Sequence, residues 1–196
     1  GVTALKPGMA VAACGGTGGF GTHACVDARL VMPLPPGFPF DQAAAFILTY
    51  GTGHHALVDR AALKAGETVL VLGAAGGVGT AAIQIAKAMG ARVIAGVSSE
   101  AKAEFCKKLG AVGYVNRRDF DHWGIPPHWT DAESWGQWFQ GAKAFGKAFW
   151  EALGEKASPK IVFEHPGEDT IPTSIFMAES GGMVVKNVAG YQLWKL

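Results

Sequence analysis

Charge is scarce in this sequence. Of 196 residues only 17% are Asp, Glu, Lys or Arg, and Lys+Arg 17 against Asp+Glu 16 leaves a net charge of +1. No basic block stands out, which argues against nucleic acid or an anionic membrane as ligand, because both draw affinity from clustered cations. Cysteine is nearly as sparse: Cys14, Cys25 and Cys106 form no CxxC pair. A disulfide framework and a structural zinc site are not expected, and a reducing compartment fits. Gly1–Lys6 carries no apolar signal core, and the weakly charged run Thr68–Ala86 is broken by glycines and ends at Lys87, so it reads as buried core rather than a bilayer span. HExxH, GxSxG and GxxxxGK(S/T) are missing, which leaves the zinc-hydrolase, serine-hydrolase and P-loop chemistries without their motifs. The chain reads as soluble and cytoplasmic.

Glycine and apolar residues fill the space that charge leaves. Glycine accounts for 28 positions, and 49% of the chain is hydrophobic, enough for a large core. Residues 1–40 read as the remnant of a β-rich unit: a strand near Met9–Ala13, a glycine loop from Gly15, and a returning strand Phe20–Val26. Pro33-Leu-Pro-Pro-Gly-Phe-Pro forms a stiff connector. Asp41 then caps a helix over Gln42–Tyr50, and a second helix follows over His54–Ala61.

From Glu67 the pattern changes. Thr68-Val-Leu-Val-Leu is apolar without alternation, as a parallel strand buried on both faces requires. Gly73-Ala-Ala-Gly-Gly-Val-Gly follows, and Val78, Ala82, Ile85, Ala86 and Met89 recur at helical spacing up to Gly90. A second strand, Arg92–Val97, leads into a helix over Ser99–Leu109. Strand and helix in alternation with short links imply right-handed βαβ units and a doubly wound parallel α/β fold over about 41–196. Residues 116–160 interrupt that alternation with a segment holding Trp123, Trp129, Trp135, Trp138 and Trp150. Its Thr130-Asp-Ala-Glu133 has capping-box spacing, and the stripe Trp135, Trp138, Phe139, Ala142, Phe145, Phe149, Leu153 reads as a helix packed on the core or on a second subunit, the other reading being rings that stack on a base or ligand. The strands Lys160–Glu164 and Gly182–Lys186 resume the alternation.

The strand–glycine loop–helix is the strongest chemical signal. Bare backbone N–H groups at a helix start approach a pyrophosphate closely and meet it with the positive dipole end. Strict GxGxxG places glycines at 74, 76 and 79, and position 74 is Ala, but the flanking strands and helix match the required context. The other reading is a tight turn without a ligand. Past the second strand, an NAD site carries a carboxylate for the ribose hydroxyls. Here Ser98, Ser99 and Lys102 supply hydroxyls and a cation, which suit the 2′-phosphate of NADPH. Ser99 reads equally well as a helix cap. His54 and His55 read as surface or core residues, His23 as a strand residue, and Cys106 as a packed thiol. His165 differs, since it ends a buried strand at the edge where doubly wound sheets hold ligands, and a cofactor contact there stands beside a structural role.

These residues resemble the medium-chain dehydrogenase/reductase superfamily across essentially the whole chain. Residues 33–113 are similar to its zinc-free quinone-reductase-like branch: Asp41-Gln-Ala-Ala-Ala, Leu48-Thr-Tyr-Gly-Thr, the run Gly66–Gly79, and Lys102 through Ala111. Residues 114–185 resemble the crotonyl-CoA carboxylase/reductase family of enoyl-thioester reductases, through Asn116-Arg-Arg-Asp-Phe, the Trp-rich segment, Phe145-Gly-Lys-Ala, Ile161-Val-Phe-Glu-His-Pro-Gly and Gly181-Gly-Met-Val-Val. The resemblance implies a Rossmann cofactor domain with a partial β-rich, GroES-like substrate domain. It implies NADPH reducing the C2–C3 double bond of an enoyl-CoA, with CO2 captured in some members. A homo-oligomer is expected separately, since an exposed Trp-rich helix is a natural subunit contact. By position, Gly76, Gly77 and Val78 would meet the pyrophosphate, and Ser98, Ser99, Lys102 and Arg117 the 2′-phosphate. Thr49, Thr52 and His165 would lie near the nicotinamide half. It implies further that the chain starts partway through the substrate domain and lacks the carboxylation pocket, so no catalytic acid is named. The alternatives are an NADPH:quinone oxidoreductase and a dinucleotide-binding module without turnover.

Overall fold

The computed structural model describes residues 4–15 and 17–186. The chain divides into two compact units, 1–51 and 52–196. In the first, β1 (Val11–Ala13) pairs antiparallel with β2 (Val31–Pro33). The expected returning strand at Phe20–Val26 does not form, and His23 lies in irregular chain. That glycine-flanked segment is exposed and has no ladder partner, whereas Val31 follows a short 3-10 turn, Ala28–Leu30, whose Asp27 cap aims it at β1.

A helix, α1 (Phe40–His54), runs through Gly51 and Gly53 and continues as a π-helical turn, His55–Arg60. Two separate helices were expected here. Gly53 does not break the helix because it serves packing: a Cβ there would sit 3.2 Å from Ile85 Cδ1. The division between the two units falls inside α1.

The second unit is the expected parallel sheet. Its elements are β3 (Thr68–Leu72), α2 (Gly77–Ala88), β4 (Arg92–Val97), α3 (Glu100–Leu109), β5 (Gly113–Asn116), α4 (Ala132–Leu153), β6 (Ile161–Glu164), α5 (Ile171–Met177) and β7 (Met183–Lys186). All four strand pairings are parallel, in the order β5-β4-β3-β6-β7. Strand side chains alternate between two cores. Val69, Val71, Val93, Ala95, Ile161 and Phe163 pack with α2 and α3 residues such as Ile83 and Cys106. Leu70, Leu72, Ile94 and Val162 pack with Phe145 and Phe149 of α4 and Met177 of α5. This is why the strands read as continuous apolar runs.

The Trp-rich segment does not interrupt the alternation. α4 is itself the crossover from β5 to β6, capped by Asp131, whose carboxylate accepts from Ser134 N at 3.1 Å, rather than by Thr130. β5 and α5, which have little sequence signature, complete the pattern. Among the described residues no helix is long and apolar enough to cross a membrane. The Lys186–Trp194 stretch lies outside the described residues beyond its first position.

Candidate functional site

The chain runs from β3 outward to β5 and then returns to β6 on the other side. The sheet order therefore reverses between β3 and β6, and the crevice beyond their carboxyl ends is where such folds hold ligands. A cleft of about 590 Å³ opens there.

Its first wall is the turn from β3 into α2. Gly73 adopts φ +67°, the left-handed region that favours glycine. Ala74 is fully buried with ordinary φ and donates its N–H to Gly96 O at 3.3 Å, so Ala is tolerated where the strict motif has glycine. Gly79 is obligatory, because a Cβ would stand 2.3 Å from Gly73 O and 2.8 Å from Ala74 Cα. Gly76 precedes α2 with no side-chain cap, which leaves the first-turn N–H groups at Gly77 and Val78 free for an anion. Opposite, Gly96 clears the end of β4, where a Cβ would meet Leu72 Cδ2 at 2.6 Å.

The second wall is cationic. Lys102 on α3 donates its Nζ to Ser98 Oγ at 3.0 Å, and both line the cleft. Arg117 and Arg118 follow β5 into the same cleft, and no carboxylate is among its lining residues. Trp123 shapes that arm: its indole N–H donates to Arg117 O at 3.0 Å and Phe120 O at 2.9 Å, and the Arg117 guanidinium sits over its ring at 5.8 Å. His165, Pro166 and Thr170 form the far side, after β6.

Of the residues singled out from the sequence, Gly76, Ser98, Lys102, Arg117 and His165 line one cleft. Gly77 and Val78 belong to the adjoining first turn of α2. Ser99 caps α3, its hydroxyl accepting from Lys102 N at 3.5 Å. Thr49 donates its hydroxyl to Ala45 O at 2.7 Å within α1, and Thr52 is half-buried and not a lining residue. His54 and His55 are exposed near Asp59, and Cys106 is buried, its thiol pushed up by burial. Arg118, Trp123, Phe145 and Thr170 line the cleft without having been singled out. The Arg117–Arg118 doublet was the available signal for the first of these.

The sequence profile of the family described as zinc-binding dehydrogenase matches residues 77–190. The chain belongs to this family, within the medium-chain dehydrogenase/reductase superfamily. This family member is 40% identical over 170 residues to a crotonyl-CoA carboxylase/reductase of Cereibacter sphaeroides, covering 86% of this chain and 39% of that protein. It is 37% identical over 180 residues to a crotonyl-CoA reductase of Streptomyces collinus, 89% of this chain and 38% of that one. Among solved structures, crotonyl-CoA carboxylase/reductase AntE in complex with NADP matches with TM-score 0.80 and 46% identity, over 82% of this chain and 40% of AntE. The chain thus spans about two-fifths of the relatives it matches. The family's description implies zinc, but the described residues do not fit a zinc centre. Among the described residues no three His, Cys, Asp or Glu side chains gather to hold a metal ion.

Proposed function

We propose that this chain is the NADPH-binding part of an oxidoreductase that reduces the C2–C3 double bond of an enoyl-CoA thioester, of the reductive-carboxylating type. The observation that carries the reading is the cleft itself, with an uncapped glycine turn on one side and Ser98, Lys102, Arg117 and Arg118 on the other, without a carboxylate. The free N–H groups at Gly77 and Val78 take the pyrophosphate, beside Gly76, whose own N–H is donated to Gly73 O at 3.0 Å. Ser98, Lys102 and Arg117 take the 2′-phosphate, with Ser99 fixing the start of α3 beneath them. The Gly73 conformation sets the turn into α2, and the bare Gly96 lets β4 pack against Leu72 at the cleft floor.

Bound NADPH supplies a hydride to one carbon of the double bond, while a proton or CO2 adds to its neighbour. The chain supplies orientation and phosphate electrostatics. The acyl substrate is proposed from the relatives, among them the 2-octenoyl-CoA carboxylase reductase CinF in complex with NADP and 2-octenoyl-CoA, at 32% identity and TM-score 0.70 over 82% of this chain and 35% of CinF. A cytoplasmic homo-oligomer belongs to the same proposal, supported by aromatics left exposed on α4 and α5, Trp135 and Phe176. The test is a titration with NADPH and NADH, followed by NADPH consumption with crotonyl-CoA, with and without bicarbonate, and with a quinone. Preference for NADPH and turnover of crotonyl-CoA are expected. Equal affinity for NADH overturns the phosphate assignment, and turnover of the quinone alone overturns the substrate.

A further inference from the structure

Glu164 takes no part in the phosphate contacts, yet it is placed at high cost. It closes β6 with 0% exposure, and among the described residues no cation pairs with it. Its Oε1 accepts the Gly167 N–H at 2.9 Å and the Thr170 hydroxyl at 2.6 Å, and its Oε2 accepts the Ser174 hydroxyl. Burying a carboxylate stays tolerable only when donors replace the water it loses. All three donors come from the stretch that follows it, so the bonds pin one course for the turn from β6 into α5. Thr170, at the cap position of α5, makes no side-chain capping bond and gives its hydroxyl to Glu164 and Gly167 O. Gly167 completes the turn at φ +98°.

The pinned turn carries His165. A Cβ built on Gly73 would touch His165 Cβ and Cδ2 at 3.7 Å and Pro166 Cδ at 3.9 Å. His165 therefore stands against the glycine turn that opens the cleft. Alternation along β6 puts Val162, and with it Glu164, on the α4–α5 face of the sheet. The carboxylate thus holds the turn from behind. We propose that Glu164 is the positioning residue for His165, setting that side chain against the nicotinamide half of the bound cofactor. This rests on the dinucleotide reading above.

The experiment titrates the wild-type chain, Glu164→Gln, His165→Ala and the double variant with NADPH and with 2′,5′-ADP, which reaches only the phosphate half. Gln keeps the volume but accepts at one atom rather than two. Glu164→Gln is expected to weaken NADPH about tenfold and 2′,5′-ADP less than about twofold. The double variant should bind NADPH no worse than His165→Ala, because Glu164 acts through His165. Additive losses, an equal loss for both ligands, or no loss for NADPH overturns the proposal. Ser174→Ala, which removes one donor and no charge, should move NADPH affinity in the same direction by less. Amide exchange of the ligand-free chain gives a second readout: Glu164→Gln should speed exchange at 167–170 and leave Val71 and Ala95 unchanged. Unchanged exchange at 167–170 overturns the pinning of the turn. If the wild type binds neither ligand, the dinucleotide reading falls while the exchange result still decides the role of Glu164 in the turn.

Discussion

Lys102 Nζ lies 3.0 Å from Ser98 Oγ, so the cation of α3 is held beside the hydroxyl that ends β4. The pair is built from two residues four apart, across the helix start that Ser99 caps. A cation held there discriminates a 2′-phosphate from a 2′-hydroxyl. Lys102→Ala should weaken NADPH about tenfold and NADH less than about twofold, as expected for one charge-assisted bond. Fluorescence titration measures both, and the NADPH advantage should shrink with added salt. Equal weakening of the two would count against the assignment.

The close approach of α2 to β3 gives a stability prediction. Gly79→Ala places a methyl 2.3 Å from the Gly73 carbonyl oxygen, and the neighbour is backbone that cannot turn aside. The helix start must move away from the sheet, which costs about 3 kcal/mol, the upper end of overpacking penalties. Thermal melting should show a lower Tm, and NADPH affinity should fall with it, because the displaced N–H groups are those proposed to meet the pyrophosphate. Gly76→Ala, whose methyl would be 3.3 Å from the same oxygen, should lower Tm less.

The sheet, its βαβ order and the glycine turn were legible because their signals are local. Thr68–Leu72 and Arg92–Val97 are buried on both faces and read as apolar runs, and the α2 spacing follows directly. What escaped depends on partners distant in sequence. The arm 117–123 enters the cleft because one indole N–H reaches two carbonyls, and aromatic content alone does not specify that course. Glu164 looked like the polar end of a strand, and its donors lie three, six and ten residues on. The two helices expected over Gln42–Tyr50 and His54–Ala61 are one run, because Gly53, between them, serves close packing against α2 rather than a turn. Phe20–Val26 read as a strand from composition, yet a strand needs a partner and β1 found Val31–Pro33 instead.

Phe145 joins the core to the cleft. It is 1% exposed, packs edge-on against Phe120 and Trp123 at 5.3 and 5.2 Å, and contributes to the cleft lining. Phe145→Ala should destabilise the chain by about 3–5 kcal/mol, through lost burial plus the cavity left behind. Urea unfolding measures this. Phe145→Leu should recover most of the loss while leaving the edge contact of Phe145 with Trp123 unmade, so cofactor affinity should remain below wild type even where stability returns.

His122 predicts a pH dependence. It is buried beneath Gly141 of α4, stacked on Trp123 at 4.7 Å and flanked by Phe120, Trp138 and Phe145, and among the described residues neither ring nitrogen has a hydrogen-bond partner. Burial pushes its pKa below the ordinary 6.5, with Asp121 opposing. The unfolded chain therefore binds a proton that the folded chain resists, and stability rises with pH where the two differ. The full contribution of neutral His122 is present above 6.5 and is lost as the pH falls from there through the lower folded value. Carboxylates such as Asp131 and Glu104, held below 3.8 and 4.5 by their donors, act at more acid pH. Urea unfolding between about pH 7.5 and about pH 5 should show wild type losing stability, with His122→Phe losing less because the phenyl ring keeps the aromatic box and takes up no proton. Parallel curves for the two proteins would mean that His122 takes up its proton over the same pH range folded and unfolded, and would remove the imidazole from the acid sensitivity of the fold.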